Sequence, residues 1–295
     1  MTLRHLKIYK AVAETESVTK AAQQLYLSQP SVSVAIKELE RYYGIRLFER
    51  LNQRLKITQD GIRFLNYVTH IIDLFEEADK SFRAPGSTGP VKIGASVTAG
   101  ACFVPGIMTS FAAAYPDVQI YTRVGASGEI EQDILSNNLD IGVVEGVVHS
   151  DYIVQKVLKE DELVAVCSGA HPFARTKSVS LEQLVKQPLL LRERTSGTAE
   201  LLLTTLSARG YTVNPVLEST SVEALKNTAR RNLGIAFLPE PLVKAELEAG
   251  ILYRVPVRDF SVKRCYRLIY HKNKYLSPLL LALMQRIEQE VKQTG

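Results

Sequence analysis

The stretch SVTKAAQQLYLSQPSVSVAIKELE, residues 17–40, decides the reading of this chain, because two short helices and the turn between them can be read from it. Ser17 is a suitable N-cap: its hydroxyl can accept from a first-turn N–H that has no partner within the helix. Behind it, Val18, Ala21, Ala22 and Leu25 recur at helical spacing and make one apolar face. Tyr26–Ser28 reads as a turn. Ser28 caps the next helix, and Pro30 falls in its first turn, where a missing N–H costs nothing. Val32, Ile36, Leu39 and Tyr43 form the inward stripe, and Gly44 supplies the stop. That leaves Gln29, Pro30, Ser33, Val34 and Lys37 facing outward. A merely solvated helix face favours Glu and Lys. Small and amide side chains instead let a helix end approach base edges in a major groove. Gln29 can read adenine, Ser31 and Ser33 can bond phosphates or base edges, Val34 can touch a thymine methyl, and Lys37 can neutralise a phosphate. Double-stranded DNA is the expected partner.

Working outward, Leu3, Leu6, Tyr9 and Ala13 predict a helix ahead of this pair. After it, Ile45–Ile57 alternates apolar and basic residues in the manner of a short two-stranded wing, which sets Arg50 and Arg54 to meet phosphates. The net charge of +5 is concentrated here: residues 1–60 hold ten Lys/Arg against six Asp/Glu. Residues 58–83 read as one long helix. Leu65, Val68, Ile72, Phe75 and Phe82 lie on an a/d seam broken by Asp79, which predicts a two-helix coiled coil and hence a homodimer. Two half-sites on DNA ask for the same symmetry. The segment APGSTGP, residues 84–90, has the composition of a linker.

Residues 3–61 resemble the LysR-type transcriptional regulators. The resemblance is carried by Ser17–Leu25 with Ala21-Ala22, Leu27–Ser33, Ile36, Leu39-Glu40, Gly44, Leu47–Arg50, Arg54, Leu55–Thr58 and Gly61. It implies an α/β fold class with an all-α winged helix-turn-helix N-terminal domain at 1–58. A dimerisation helix and hinge would follow at 59–89. A two-lobed periplasmic-binding-protein-like domain would occupy 90–295, with lobe 1 at about 90–161 and 268–295 and lobe 2 at about 162–267. The implied function is transcription regulation under a small-molecule effector, by a homodimer or homotetramer, with RNA polymerase as a further partner.

Beyond the linker the pattern changes to alternating strands and helices, which predicts mostly parallel sheet. About 205 residues exceed one comfortable sheet of this type, so two lobes are expected. Ligands in such folds lie at strand C-termini, where helix N-termini point free N–H groups. Three loops qualify. Ser96 and Thr98 follow the first strand, and Ser127 follows the second. Thr195, Ser196 and Thr198 follow the strand Leu189–Leu191. Hydroxyls, backbone amides and few fixed acids suit a small anionic effector, although each hydroxyl can equally serve as a helix cap. The resemblance implies that the first and third loops contact the inducer. Ser219–Ser221 is a fourth candidate.

Other classes are poorly served. An enzyme with an accessory helical domain is the alternative reading, but the chain carries no GxSxG, GxxxxGK[ST], GxGxxG or HExxH pattern. No catalytic residue and no cofactor is expected. His149 and His171 stand without a second ligand at metal spacing, so no metal is expected. Cys102 is predicted in the first turn of a helix over Cys102–Tyr115, where a thiolate is favoured. The family includes peroxide sensors, so a thiol redox-sensing regulator is a second alternative. With no apolar signal core at the N-terminus and no long apolar run, a cytoplasmic protein without membrane contact is expected.

Overall fold

The computed structural model describes residues 1–51, 54–83 and 90–293. The side chains of Arg54 and Phe82, and the linker at 84–89, lie outside the described residues. Two compact units result, and each is taken by itself.

The first unit runs α1 (Leu3–Thr15), α2 (Val18–Gln24), α3 (Gln29–Tyr43), β1 (Phe48–Leu51), β2 (Arg54–Ile57) and α4 (Gln59–Arg83). The capping signals act as the local chemistry demands. The Ser17 hydroxyl accepts from the Lys20 N–H and the Ser28 hydroxyl from the Ser31 N–H, each at 3.3 Å. Gly44 closes α3 in the left-handed region at φ 68°. Val32, Ile36 and Leu39 are buried against Leu6, Tyr9, Val12, Ala21 and Ala22, each such side chain contributing about 1.5–3 kcal/mol. Tyr43 departs from the expected stripe. It is 40% exposed and rests on the Phe64 ring, while Ala35 takes the inward place. At the last turn of the helix the core ends, so a large ring there lies over the rim. The wing is a two-stranded antiparallel hairpin that pairs Phe48 with Ile57 and Arg50 with Leu55. Glu40 anchors its base by accepting from the Leu47 N–H at 2.8 Å and the Phe48 N–H. Gly61 is needed where α4 meets the wing, since a Cβ there would lie 2.3 Å from the Leu47 carbonyl oxygen.

The first three residues of the expected seam of α4 are turned inward, whereas Phe75 is exposed. Val68 and Ile72 are fully buried in the unit's own core, with Leu65 packed beside them. The exposed apolar residues are Ile62, Tyr67, Ile71, Leu74 and Phe75. A helix with apolar residues on two sides has two faces to cover, and the nearer core takes one of them.

The second unit is built on one nine-stranded mixed sheet. Its strands are β3 (Val91–Ser96), β4 (Ile120–Gly125), β5 (Ile141–Glu145), β6 (Ile153–Ser168), β7 (Leu189–Arg192), β8 (Leu217–Ser219), β9 (Ile235–Pro239), β10 (Leu252–Arg254) and β11 (Val262–His271). The order is β4-β3-β5-β11-β6-β9-β7-β8, with β10 paired to β6. Pairing is parallel within β4-β3-β5 and within β9-β7-β8. It is antiparallel wherever the long strands β6 and β11 take part. The expectation of mostly parallel sheet thus holds only toward the two ends. The strands that join one lobe to the other run back along each other, and that pairing is antiparallel.

Each lobe has its own core. β3 and β5 bury Ile93, Ala95, Ile141 and Val143 with α5 (Val97–Cys102), α6 (Val104–Ala114) and α12 (Pro278–Gln293). In the other lobe β6 alternates, sending Leu163, Ala165 and Cys167 to one face and Val164 and Val166 to the other. Two further helices border the cleft, α7 (Ser127–Leu135) and α9 (Gly197–Ser207), while α8 (Leu181–Val185), α10 (Val222–Arg230) and α11 (Glu240–Glu248) pack elsewhere on the sheet. The helix expected over Cys102–Tyr115 is α6, which starts at Val104 so that Pro105 falls in its first turn; Cys102 belongs to the preceding α5, and the two meet at Phe103. Among the described residues, no helix is long and apolar enough to cross a membrane.

Candidate nucleic-acid interface and effector cleft

The outward face of α3 is where the sequence places it. Gln29, Pro30, Ser31, Val34 and Lys37 are exposed, Ser33 is half-buried, and Arg50 is exposed on β1 of the wing. The Gln29 amide donates to the Thr19 hydroxyl, which braces it against α2. Ser28 and Ser31 share a hydrogen bond of 2.8 Å over the first turn. The N-terminal half of α3 therefore ends in a compact polar surface beside a basic hairpin. Tyr9 fixes this reader from behind. Its hydroxyl donates to the Gly61 carbonyl at 2.7 Å, and its ring meets Phe48 of the wing and Phe64 of α4. Burial pushes its phenol well above the usual tyrosine range, so it stays a donor at any physiological pH.

In the second unit the candidate hydroxyls separate into two groups. Ser127 and Thr195 line an open cleft of ≈ 600 Å³ together with Gly128, Gly197, Arg123, His149, Arg194 and Glu200. This cleft faces the N-terminal ends of α7 from one lobe and α9 from the other. Ser96, Thr98 and Thr198 are fully buried beside a charged network that the sequence did not suggest. Ser96 donates to the Glu145 carboxylate, and Ser127 to the Glu145 carbonyl at 2.7 Å. Arg264 donates to Asp161 at 2.6 and 2.8 Å and to the Thr198 hydroxyl at 2.9 Å, and lies 3.4 Å from Glu145. The Tyr266 hydroxyl donates to Asp161 at 2.9 Å. Burial opposes the charge on Arg264, but Glu145, Tyr266 and Asp161 more than offset it and raise its pKa above the usual arginine value. The Thr98 hydroxyl has no hydrogen-bond partner among the described residues. Ser196 caps α9 by accepting from the Thr198 N–H at 3.2 Å. Ser221 caps α10 in the same way, and Ser219 accepts from the Ser221 N–H, so the fourth candidate loop is occupied by local bonds. The lobes approach at their backbones here: a Cβ on Gly197 would lie 2.7 Å from the Glu145 carbonyl oxygen.

One expectation about a single residue changes, that for Cys102. His149 has two acidic neighbours. Its ring nitrogens lie 3.7 Å from Glu131 and 3.4 Å from Glu200. His171 accepts from the Phe173 N–H and packs on the Phe173 ring, and burial lowers its pKa. Cys102 ends α5 and does not open a helix. Burial, with Asp161 adding to it, pushes its thiol up. Glu145, Asp161, Arg264 and Tyr266 were missed because they stand on strands far apart in the chain. The one available signal is charge within apolar strands, where an unpaired ion is costly.

A winged helix-turn-helix carried on the same chain as a two-lobed α/β cleft defines a DNA-binding regulator under small-molecule control. The chain belongs to the LysR family of transcriptional regulators. The family described as "Bacterial regulatory helix-turn-helix protein, lysR family" matches residues 3–62, and "LysR substrate binding domain" matches residues 84–292. The HTH-type transcriptional regulator YeiE of Escherichia coli K12 is 34% identical over 280 residues, covering 95% of this chain and 94% of its own. A probable RuBisCO transcriptional regulator of Cyanidioschyzon merolae is 30% identical, with 97% of each chain covered. The crystal structure of ArgP from Mycobacterium tuberculosis shares the fold with a TM-score of 0.76 at 21% identity, covering 97% of this chain and 96% of that one.

Proposed function

We propose that this regulator reads operator DNA with the N-terminal half of α3. Gln29, Pro30, Ser31, Ser33, Val34 and Lys37 enter the major groove, while Arg50 and Arg54 neutralise phosphates from the wing. The observation that carries this reading is the exposure of Gln29, Ser31 and Val34 directly opposite the buried Val32, Ile36 and Leu39. The exposed face of α4 pairs with that of a second copy, giving a homodimer with two half-sites, and two dimers associate into a homotetramer. The regulator works in the cytoplasm and acts on RNA polymerase at the promoter.

The effector is a small anion held across the cleft. Ser127, Thr195 and the N-terminal amides of α7 and α9 receive it, with Arg194 as the nearby cation and Ser96, Thr98, Ser196 and Thr198 in the floor beneath. Two converging helix ends and 66% side-chain exposure of Arg194 support this reading. Binding shifts the population between lobe arrangements and thereby the spacing of the readers on DNA. A thermal-shift screen of the full chain against sulfate, phosphate and small organic acids tests it. A true effector at a hundredfold excess over its Kd stabilises by about 2.7 kcal/mol. An effector-sized response to amines alone would overturn the anion assignment.

A further inference from the structure

Gln29 is the first residue of α3, and its side chain is exposed on the face that the reading above turns toward DNA. An exposed glutamine ordinarily turns freely about its side-chain bonds, and its amide can present either oxygen or nitrogen to a base. Here the amide is held. Its Nε2 donates to the hydroxyl of Thr19, which stands in the first turn of α2. α2 is a fixed support. Ala21 and Ala22 beneath it are buried, the Leu25 N–H donates to the Ala21 carbonyl at 3.0 Å, and the Leu27 N–H donates to the Ala22 carbonyl at 2.8 Å. The neighbouring hydroxyls of Ser28 and Ser31 are engaged with each other, so they do not compete for the amide.

We propose that Thr19 is the positioning residue that makes Gln29 selective for adenine, by fixing which end of the amide faces which base atom. The inference rests on the groove reading proposed above. A glutamine amide nitrogen carries a pair of N–H donors. Thr19 takes one of them. The other, together with Oε1, supplies the donor and the acceptor that adenine requires at N7 and N6. Guanine presents acceptors at both N7 and O6, so an amide held in this sense sets its oxygen against O6. Without the brace the amide is free to rotate and donate to O6, and the discrimination falls. Holding the side chain before DNA arrives also removes part of the ordering cost of binding.

Selection from a random-sequence duplex pool with the full chain measures base preference directly. The parent should select adenine at one position of each half-site, and Thr19→Ser, which keeps the hydroxyl, should do the same. Thr19→Val keeps the branched shape, and at this exposed position it leaves the fold intact. It should lower the preference for adenine over guanine at that position about fivefold or more. Its affinity for a fixed non-operator duplex, and the salt dependence of that affinity, should stay at the parent's values. Gln29→Ala should abolish the preference. If Thr19→Val selects the same sequences as the parent while Gln29→Ala does not, the brace is overturned and the groove reading stands. Equal weakening of Thr19→Val on every sequence also overturns the brace, since Thr19 would then be a phosphate contact. If Gln29→Ala keeps the parent's preference, Gln29 reads no base, and the brace falls together with that part of the groove reading.

Discussion

Ser33 sits at the rim between the buried and exposed faces of α3, and its chemistry there is a small hydroxyl near a polyanion. Ser33→Glu adds a carboxylate where phosphates must approach. Operator affinity in a gel shift should fall at least tenfold, about 1.4 kcal/mol, while the melting temperature stays unchanged. Unchanged affinity would remove α3 from the groove. Tyr9 works from behind the reader. Tyr9→Phe deletes the hydroxyl donor to the Gly61 carbonyl, which should cost about 0.5–1.5 kcal/mol in denaturant unfolding. A Tyr9→Phe protein as stable as the parent would show that this bond is dispensable. Cys102 is the third case. Its thiol is pushed up by burial, so the thiolate, the reactive form, is scarce at neutral pH. Alkylation by iodoacetamide at about pH 7.5 should be slower than for a free thiol, with the rate still climbing above the pH where free cysteine levels off. A fast reaction at pH 7.5 would restore the redox reading.

At the scale of the element, α4 is the informative case. Its hydrophobic repeat is real, but Val68 and Ile72 are spent inside the domain, and a different face carries Tyr67, Ile71, Leu74 and Phe75. Leu74 is 50% exposed in the single chain. Leu74→Glu should leave the fold intact and shift the sedimentation coefficient to that of a smaller species. The corresponding change at buried Val68 should unfold the reader domain. If Leu74→Glu sediments like the parent, α4 is not the dimer face.

For the whole molecule, the buried charged network between the lobes matters most. Arg264 is the guanidinium shared by Glu145, Asp161 and Thr198, groups contributed by both lobes and by a strand that crosses between them. Arg264→Leu leaves two buried carboxylates without their cation, a loss of about 3–5 kcal/mol at neutral pH. Denaturant unfolding of the variant checks this loss, and a variant as stable as the parent would mean that the two carboxylates are satisfied without the guanidinium.

The reader helix was legible in the sequence because each of its signals is local: Ser28 caps the residue three places on, Pro30 tolerates only the first turn, and Val32, Ile36 and Leu39 share a face by helical geometry alone. The alternation of strands and helices after the linker was legible for the same reason. The break at Phe103, the inward turn of Val68 and Ile72, and the placement of Tyr43 were not, because each depends on which neighbour covers a surface first. Ser127 and Thr195 could be named as loop hydroxyls, but only the fold set them across one cleft. Helix capping and periodicity act over a few residues, so the chain alone specified the DNA-reading surface. Glu145, Asp161, Arg264 and His149 acquire partners only when strands and helices distant in sequence are brought together, so tertiary structure decided the chemistry of the cleft.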